Sequence, residues 1–481
     1  MPSERPNILF VVLDTVRARS LSLYGASHNP DVTLSRLAAD GDLYTTAIAP
    51  SAWTLPSHVS MFTGELPSEH GATGPAASLD PGGSLPQRLA AAGYQTFGAS
   101  ANPFIGSKNS FADAFDEFCH LIPTPTTRLF ERGNDALDLA RNIDATGLGK
   151  LPVAGRRIAA TDAPIRTATN LLWYQLSRRQ SSRERRNRAL SGGTEITREL
   201  TQFFHRTDGP FFAFANYMEA HRPYCAPKSY IEQYYPDDID IDPDDVDLDP
   251  WAHILGVDEH TAAEIRAAKA LYTAAIAYLD DQIELLLDEM DNAGIRENTI
   301  VVVTSDHGEA FGERGRLDHN CLYQPVTHVP LIIDHPGRGH SETTRPVSLR
   351  SLYPTLLHAA GIDDADGSSL FAHEATKEPV VSQYLDLHVK YLDRRFETER
   401  VDPYRERLQS SFSSTHQLLV GERGTEELLS MNGRAKPIKG KEQIREQLRM
   451  GIPSFKDTTL SQADSNSGPD KEMLRSLGYL E

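Results

Sequence analysis

Two kinds of apolar run recur along the chain, and their periods separate strands from helices. Ile8 to Leu13 within PNILFVVL, Phe211 to Tyr217 in FFAFANY and Thr299 to Thr304 in TIVVVT are nearly unbroken β-branched or aromatic runs. Runs of this length without polar alternation predict central strands covered on both faces. Tyr94 to Ala99 and Leu331 to Ile333 predict two more strands. Between them lie helical patterns at Leu34 to Ala39, at Ser84 to Ala92 closed by Gly93, and at Tyr353 to Ala360. The longest is Glu264 to Met290, whose Leu271, Ile276, Leu279, Ile283 and Leu286 share a face. Alternation of strand and helix predicts an α/β fold with a mostly parallel central sheet. The final hundred residues are more polar and poorer in apolar runs, so a larger domain over 1–365 and a smaller C-terminal subdomain over 366–481 are expected. No internal repeat is visible.

The polar residues that end these runs carry the candidate chemistry. Asp14 follows the first strand, Asp306 and His307 follow TIVVVT directly, and Glu219, His221 and Pro223 follow FFAFANY. Open α/β sheets place their sites at the carboxyl ends of strands. Carboxylates with one imidazole suit Mn²⁺, Zn²⁺ or Mg²⁺. Asp306-His307-Gly308-Glu309 is an unusually polar strand end, whereas Asp14 alone reads equally well as a turn or cap. A further stretch, SAWTLPSHVSMFTG from Ser51 to Gly64, offers a hydroxyl at Thr54, then Pro56, which discourages helix immediately before it, then an apolar run ending at Gly64. It can hold a nucleophile at a helix mouth, where backbone N–H groups favour an anion. Taken alone the same string reads as an N-cap and turn.

Bulk composition narrows the class. With 481 residues, 39% hydrophobic and 24% charged, the chain has the composition of a globular protein with ample core. The 67 acidic against 48 basic residues give a formal charge of -19, which argues against a protein that coats nucleic acid. Abundant Asp, and Arg in preference to Lys, predict adaptation to high salt, with an acidic mesophilic enzyme as the alternative. Cys119, Cys225 and Cys321 are too few and too widely spaced for a disulfide framework or a zinc pattern. PNILFVVL is too short for a signal h-region, and no stretch approaches a membrane span, so a cytoplasmic enzyme is the simplest expectation. The basic run Arg178 to Arg188, RRQSSRERRNR, reads as a solvated face, with an anionic surface or polyanionic substrate as its alternative. DDIDIDPDDVDLD, Asp237 to Asp249, lacks EF-hand spacing and its turn glycine and reads as a solvated loop.

Six segments in order, PNILFVVLDTVRARSLSLYG, APSAWTLPSHVSMFTGELPSEHG, NYMEAHRPY, NTIVVVTSDHGEAFGERG, HVPLII and SLYPTLLHAAGI, together resemble the sulfatase-like branch of the alkaline phosphatase superfamily. The resemblance covers about residues 5–362, and the ending LRSLGYL is similar to the tail of many such chains. It implies a doubly wound α/β sandwich, a sulfatase-like catalytic domain over 1–365 and a C-terminal subdomain packed on it. It also implies one tight divalent metal (Mn, Zn, Mg or Ca) held by Asp14, Thr54, Asp306 and His307, with a second ion left open. His221, in the H-x-P position, is expected to protonate the leaving group. Arg17, His58 and His319 are expected at the anionic ester substrate, His319 alternatively at a second metal. His70 is expected to brace the helix after the nucleophile, and Glu309 to orient the neighbouring ligand. Relatives carry C-x-P-S-R or S-x-P-S-R where this chain has Thr54-Leu55-Pro56-Ser57-His58. Oxidation of a threonine gives a ketone, so the formylglycine aldehyde is excluded. His58 replaces the supporting Arg, Thr15 the second carboxylate of the Asp-Asp pair, and no Lys follows Gly93-Tyr94-Gln95-Thr96. A threonine in this position is similar to the nucleophile of phosphodiesterases, phosphonate-ester hydrolases and phosphoglycerol transferases of the superfamily. The expected activity is therefore metal-dependent hydrolysis or transfer of phosphate or sulfate esters through Thr54. The alternatives are a sulfatase working without formylglycine and a catalytically weak binding protein. The sequence fixes no oligomeric state.

Overall fold

The computed structural model describes residues 5–75, 77–121, 182–362, 367–372, 380–386, 392–393, 395–431 and 437–455, without the side chains of residues 182–191. The chain forms two compact units, residues 1–121 with 189–481 and residues 122–188, and the fold described is that of the first. The side chains of the Arg178 to Arg188 run lie outside the described residues.

The frame is an eight-stranded sheet. Its order is Ser341–Thr343, Asp42–Tyr44, Leu331–Asp334, Thr299–Thr304, Asn7–Leu13, Phe211–Tyr217, Gln95–Ser100, Glu117–His120. The last five are mutually parallel, and Leu331–Asp334 runs antiparallel to both its neighbours. The expected strands are all present, within a residue or two of their anticipated ends.

Period two sorts the central residues into two cores. Ile8, Phe10 and Val12 join Phe212, Phe214, Ile300 and Val302 on one face, under Val59 and Phe62, Leu85 and Leu89, and Leu352 and Leu356. Leu9, Val11 and Leu13 join Ala213, Ala215, Val301 and Val303 on the other, under Leu34 and Leu37, Ile196 and Leu200, and Leu271 and Leu279. These helices are Thr54–Thr63, Leu85–Ala91 and Leu352–Ala359 on the first face, and Val32–Asp40, Ser182–Phe204 and Ala262–Asn292 on the second. Covering on both faces is why the strands read as unbroken apolar runs. Full burial of each Leu, Phe or Val side chain stabilises by roughly 1.5–3 kcal/mol. The long helix opens on a reciprocal cap, in which Glu264 N–H donates to Thr261 Oγ1 and Thr261 N–H to Glu264 Oε2.

A smaller antiparallel sheet follows in the order Val380–Tyr384, Leu408–Phe412, His416–Gly421, Glu426–Ser430. Leu448 of the Glu442–Arg449 helix packs on Leu418 and Leu428. Gln383 joins this sheet to the first part of the chain: its N–H donates to the Pro50 carbonyl (2.8 Å) and its carbonyl accepts from Ser51 Oγ (2.8 Å). Pro50 and Ser51 lie just before the Thr54 helix. Asp237 to Asp249 is irregular apart from the Pro243–Asp245 turn of 3-10 helix. The three cysteines are free thiols. Among the described residues, no helix is long and apolar enough to cross a membrane.

Candidate active site

Four neighbouring parallel strands end at one edge of the sheet, and each delivers polar residues there. Val12 is level with Thr304 on one side and with Asn216 on the other, and Asn216 is level with Ser100. The residues that follow are therefore brought together: Asp306 and His307, Asp14, the loop through His221, and Asn102. Asp14 N–H continues the ladder by donating to the Tyr217 carbonyl (2.9 Å).

Thr54 enters this edge as the first residue of its helix. The helix begins earlier than the Pro56 rule anticipates, because Pro56 occupies the first turn, where N–H groups have no intrahelical acceptor and the missing donor costs nothing. Gly64 ends it in the left-handed region at φ 79°. Ser57 Oγ donates to the Asp306 carbonyl (2.6 Å), fastening the first turn to the strand end. His70 braces the helix from behind, its Nε2 lying 3.1 Å from Ser60 Oγ.

The Thr54 hydroxyl lies 3.5 Å from Asp14 Oδ2, 3.4 Å from His307 Nε2 and 3.3 Å from Asn102 Nδ2. Each acid has one oxygen engaged and one left over. Asn102 Nδ2 donates to Asp14 Oδ2 (2.8 Å), while Asp14 Oδ1 is buried without a hydrogen-bond partner. Asp306 Oδ1 accepts from the His307 and Thr15 N–H groups (2.9 and 3.3 Å), while Asp306 Oδ2 is buried without one. His307 Nδ1 lies 3.1 Å from the Gly308 carbonyl, which must accept from an N–H there, so the lone pair belongs to Nε2. One ligand atom from each of Asp14, Asp306 and His307 lies within 4.8 Å of the others.

The electrostatics fit a site built around positive charge. Burial first, then the neighbouring Asp306, pushes the Asp14 carboxyl well up, against the pull of Asn102 and His319. Burial also raises Asp306, but His307, His58 and the two N–H groups outweigh it and hold that carboxyl below its usual value. Burial lowers His307 to about 4, against the opposing pull of Asp306.

Thr15 stands at φ 62°, rare for a β-branched residue, with its hydroxyl turned to the Ala220 carbonyl (2.5 Å). That turn aims its N–H at Asp306. It is held in place by Tyr272, whose hydroxyl donates to the Thr15 carbonyl (2.9 Å). Gly308 is required between His307 and Glu309 because a Cβ there would strike the Pro325 carbonyl.

The remaining expected residues are placed as follows. His58 is fully buried between Phe111 and Phe214, its Nδ1 2.9 Å from the Thr54 carbonyl and 3.6 Å from Asp306 Oδ2. It stands behind the turn that carries Thr54, shielded from solvent. Arg17 is buried and donates to Glu313 (2.7 Å), the Glu309 carbonyl (3.0 Å) and Ser20 (2.9 Å); none of its hydrogen bonds among the described residues reaches Thr54 or Asp14. His319 does reach the site, its ring centroid 4.4 Å from that of His307 and 5.4 Å from that of His221. His221 Nδ1 lies 2.7 Å from the Arg222 carbonyl, and burial pushes the imidazole down to about 3. Asn102 is the residue that sequence reasoning passed over, seen there only as part of the segment lacking a lysine. Its signal was its place just past the Gln95–Ser100 strand. Glu309, expected to orient a ligand, is fully buried, with neither carboxylate oxygen accepting a hydrogen bond.

Comparison with known proteins gives the family and the fold. Residues 6–362 match the family described as Sulfatase. The uncharacterized sulfatase YidJ of Escherichia coli is 24% identical over 407 residues, 78% of this chain and 72% of that one. Human iduronate 2-sulfatase is 26% identical over 384 residues, 73% of this chain and 62% of that one, so less than two thirds of that relative is spanned. The choline-sulfatase of Rhizobium meliloti is 24% identical over 379 residues, covering 75% and 69% of the two chains. Among solved structures, a phosphonate monoester hydrolase of Agrobacterium radiobacter superposes with a TM-score of 0.65 at 18% identity, covering 93% and 96% of the chains. A structure solved with its substrate D-glucosamine-2-N,6-O-disulfate gives 0.63 at 16%, covering 99% and 98%. The match over residues 6–362 shows the family: this chain belongs to the Sulfatase family, among the sulfatase-like ester hydrolases.

Proposed function

We propose that this protein is a divalent-metal-dependent hydrolase or transferase of phosphate or sulfate esters in which Thr54 is the nucleophile. The observation that carries this reading is the convergence of Asp14 Oδ2, His307 Nε2 and Asn102 Nδ2 on the Thr54 hydroxyl at 3.3–3.5 Å.

The residues fit a cation. Asp14 Oδ1 and Asp306 Oδ2 are buried oxygens with no hydrogen bond, and His307 Nε2 is a lone-pair nitrogen beside them. Two buried carboxylates this close are costly without a positive charge between them. Asp14, Asp306, His307 and Thr54 would hold the ion. When bound, it would favour the Thr54 alkoxide and polarise the ester.

The chain's own groups do the rest. Thr54 Oγ1 attacks phosphorus or sulfur, the leaving-group bond breaks, and the threonine ester is then resolved by water or an acceptor alcohol. The Thr54 and Leu55 N–H groups of the first helical turn, which have no intrahelical acceptor, and Asn102 Nδ2 are the donors available to the negative charge that develops. His58 and Ser57 fix the turn that carries Thr54. Burial favours the neutral form of His221; an ester anion beside it raises its proton affinity, so that it can hand a proton to the departing oxygen. His319 lies next to both imidazoles, where it can meet the anion.

A sulfatase acting without formylglycine is the second reading, favoured by relatives whose names are sulfatases. Turnover of nitrophenyl phosphate, bis-nitrophenyl phosphate, a phosphonate ester and nitrophenyl sulfate, with Mn²⁺, Zn²⁺, Mg²⁺ or Ca²⁺, separates the two. Thr54→Ala is expected to lower kcat/KM by at least ~10³-fold on the preferred ester with metal content retained. Equal turnover by the variant would remove Thr54 as nucleophile. Hydrolysis of the sulfate alone would establish the second reading.

A further inference from the structure

On the Val380–Tyr384 strand of the C-terminal sheet, every polar group of Gln383 is engaged, and all but one of its bonds go to the chain around the Thr54–Thr63 helix. Its main chain takes the front flank, just before Thr54. There its N–H donates to the Pro50 carbonyl (2.8 Å) and its carbonyl accepts from Ser51 Oγ (2.8 Å), an isolated bridge between Ser51 and Gln383. Its side chain takes the rear flank, where Oε1 accepts from the Ser68 N–H (2.9 Å). Ser68 lies in the short Pro67–His70 helix, whose His70 reaches back to Ser60. Gln383, Ser51 and Ser68 are all buried.

The Gln383 amide can point only one way. Ser68 stands in a first helical turn, where its N–H has no intrahelical acceptor, and that donor fixes Gln383 Oε1. Gln383 Nε2 must then donate, and it does so to Gln409 Oε1 (2.8 Å). Gln409 Nε2 donates in turn to the Pro453 carbonyl (2.9 Å). A main-chain donor at one end and a main-chain acceptor at the other thus set the direction of two buried amides. A buried Pro50 carbonyl or Ser68 N–H left without a partner is costly. Both flanks of the helix are therefore bonded to the C-terminal sheet and not merely packed near it.

We propose that Gln383 is a positioning residue for the nucleophile, clamping both flanks of the Thr54–Thr63 helix so that the C-terminal sheet sets where Thr54 stands. The Thr54 hydroxyl lies 3.3–3.5 Å from Asp14, His307 and Asn102, groups carried by other strand ends, so a small shift of its helix breaks that convergence. Misplacement of a reacting group by about 1 Å can cost about 10²-fold in rate. For its effect on turnover the inference rests on Thr54 as nucleophile; the clamp itself has a separate readout.

The test compares substitutions in the full chain that weaken the same sheet in different places. Gln383→Leu removes the side-chain bonds and keeps the main-chain ones. Leu428→Ala loosens the opposite edge strand, Glu426–Ser430, where Leu428 packs on Leu418 and Leu448. Hydrogen–deuterium exchange is followed by mass spectrometry in peptides spanning residues 51–70, and kcat and KM are measured on the preferred ester. Gln383→Leu is expected to exchange faster over these peptides and to lose about 10–100-fold in kcat with KM near that of the wild type. Leu428→Ala should leave both as in the wild type. Wild-type exchange and kcat in Gln383→Leu would overturn the clamp, as would the same changes in Leu428→Ala, which would make the sheet's role merely structural. Ser51→Ala removes only the hydroxyl bond to the Gln383 carbonyl; its wild-type exchange and kcat would overturn the clamp even if Gln383→Leu failed to fold. Faster exchange in Gln383→Leu with undiminished turnover by Thr54→Ala would remove the nucleophile and leave the clamp standing. Lost turnover in Thr54→Ala with an unaltered Gln383→Leu would do the reverse.

Discussion

Asn102 has no charge and no nucleophilic atom, yet its amide nitrogen reaches both the Asp14 carboxylate (2.8 Å) and the Thr54 hydroxyl (3.3 Å). Groups that orient a ligand in this way are typically worth about 10–100-fold in affinity or activity. Asn102→Ala is therefore expected to lower kcat/KM by about that factor. The acid limb of the pH profile should also move upward, because Asn102 is among the groups that lower the Asp14 carboxyl. A profile that only scales down would leave Asn102 a packing role. Glu219 gives a stability prediction instead. It is fully buried, accepts from the Gly193 N–H (2.7 Å), and is pushed by burial from 4.5 to about 7. Folding thus favours its protonated form, so its contribution is fully present below about pH 4.5 and is lost as pH rises through about 7. At about 1.4 kcal/mol per unit the loss is on the order of 3 kcal/mol. Glu219→Gln keeps the acceptor without the charge, and thermal melts should show its Tm exceeding the wild type's above pH 7 and converging with it near pH 4.5. Parallel curves for the two proteins would contradict this.

At the scale of elements, the Thr54–Thr63 helix matters most, because its first residue must stay in register with two strand ends. Its underside is aromatic: the Phe62 ring lies 5.1 Å from that of Phe214, 5.6 Å from Phe111 and 6.2 Å from both Phe10 and Phe115. Gly64 closes the helix where a Cβ would press on Tyr353. Phe62→Ala removes the centre of this cluster and is expected to cost about 3–5 kcal/mol in denaturant unfolding. Because the helix then lacks its anchor, kcat should fall further than the folded fraction alone explains. Activity that tracks the folded fraction would show that Ser57 and His58 suffice to hold the turn.

Over the whole molecule, the excess of acidic over basic residues gives -19. Self-repulsion of that size is screened by salt, since the Debye length falls from about 10 Å at 0.1 M to about 3 Å at 1 M. Thermal melts in KCl should show Tm rising toward molar salt, the behaviour of a chain adapted to high salt; a flat response would favour the acidic mesophilic alternative.

Much of the architecture follows from local rules. Short unbroken apolar runs rich in β-branched and aromatic residues read as strands covered on both faces, and the polar residues just past them, Asp14, Asp306 and His307, had to fall at one edge once those strands were parallel. Thr54 at the mouth of an apolar helix followed from the same reasoning, and its branched side chain alone excludes an aldehyde. Local rules do not carry distances between segments. That Asn102 joins Asp14 at Thr54, that Thr15 turns its hydroxyl away, that His58 lies behind the Thr54 turn, and that Glu309 meets Asp318 and His319 were decided by packing. Each depends on which face a side chain takes at a strand end or across a two-residue ribbon, between partners up to hundreds of positions apart. Sequence determined which residues could do chemistry; the tertiary structure decided which of them share a site, because burial and register fix their separation to within a hydrogen bond.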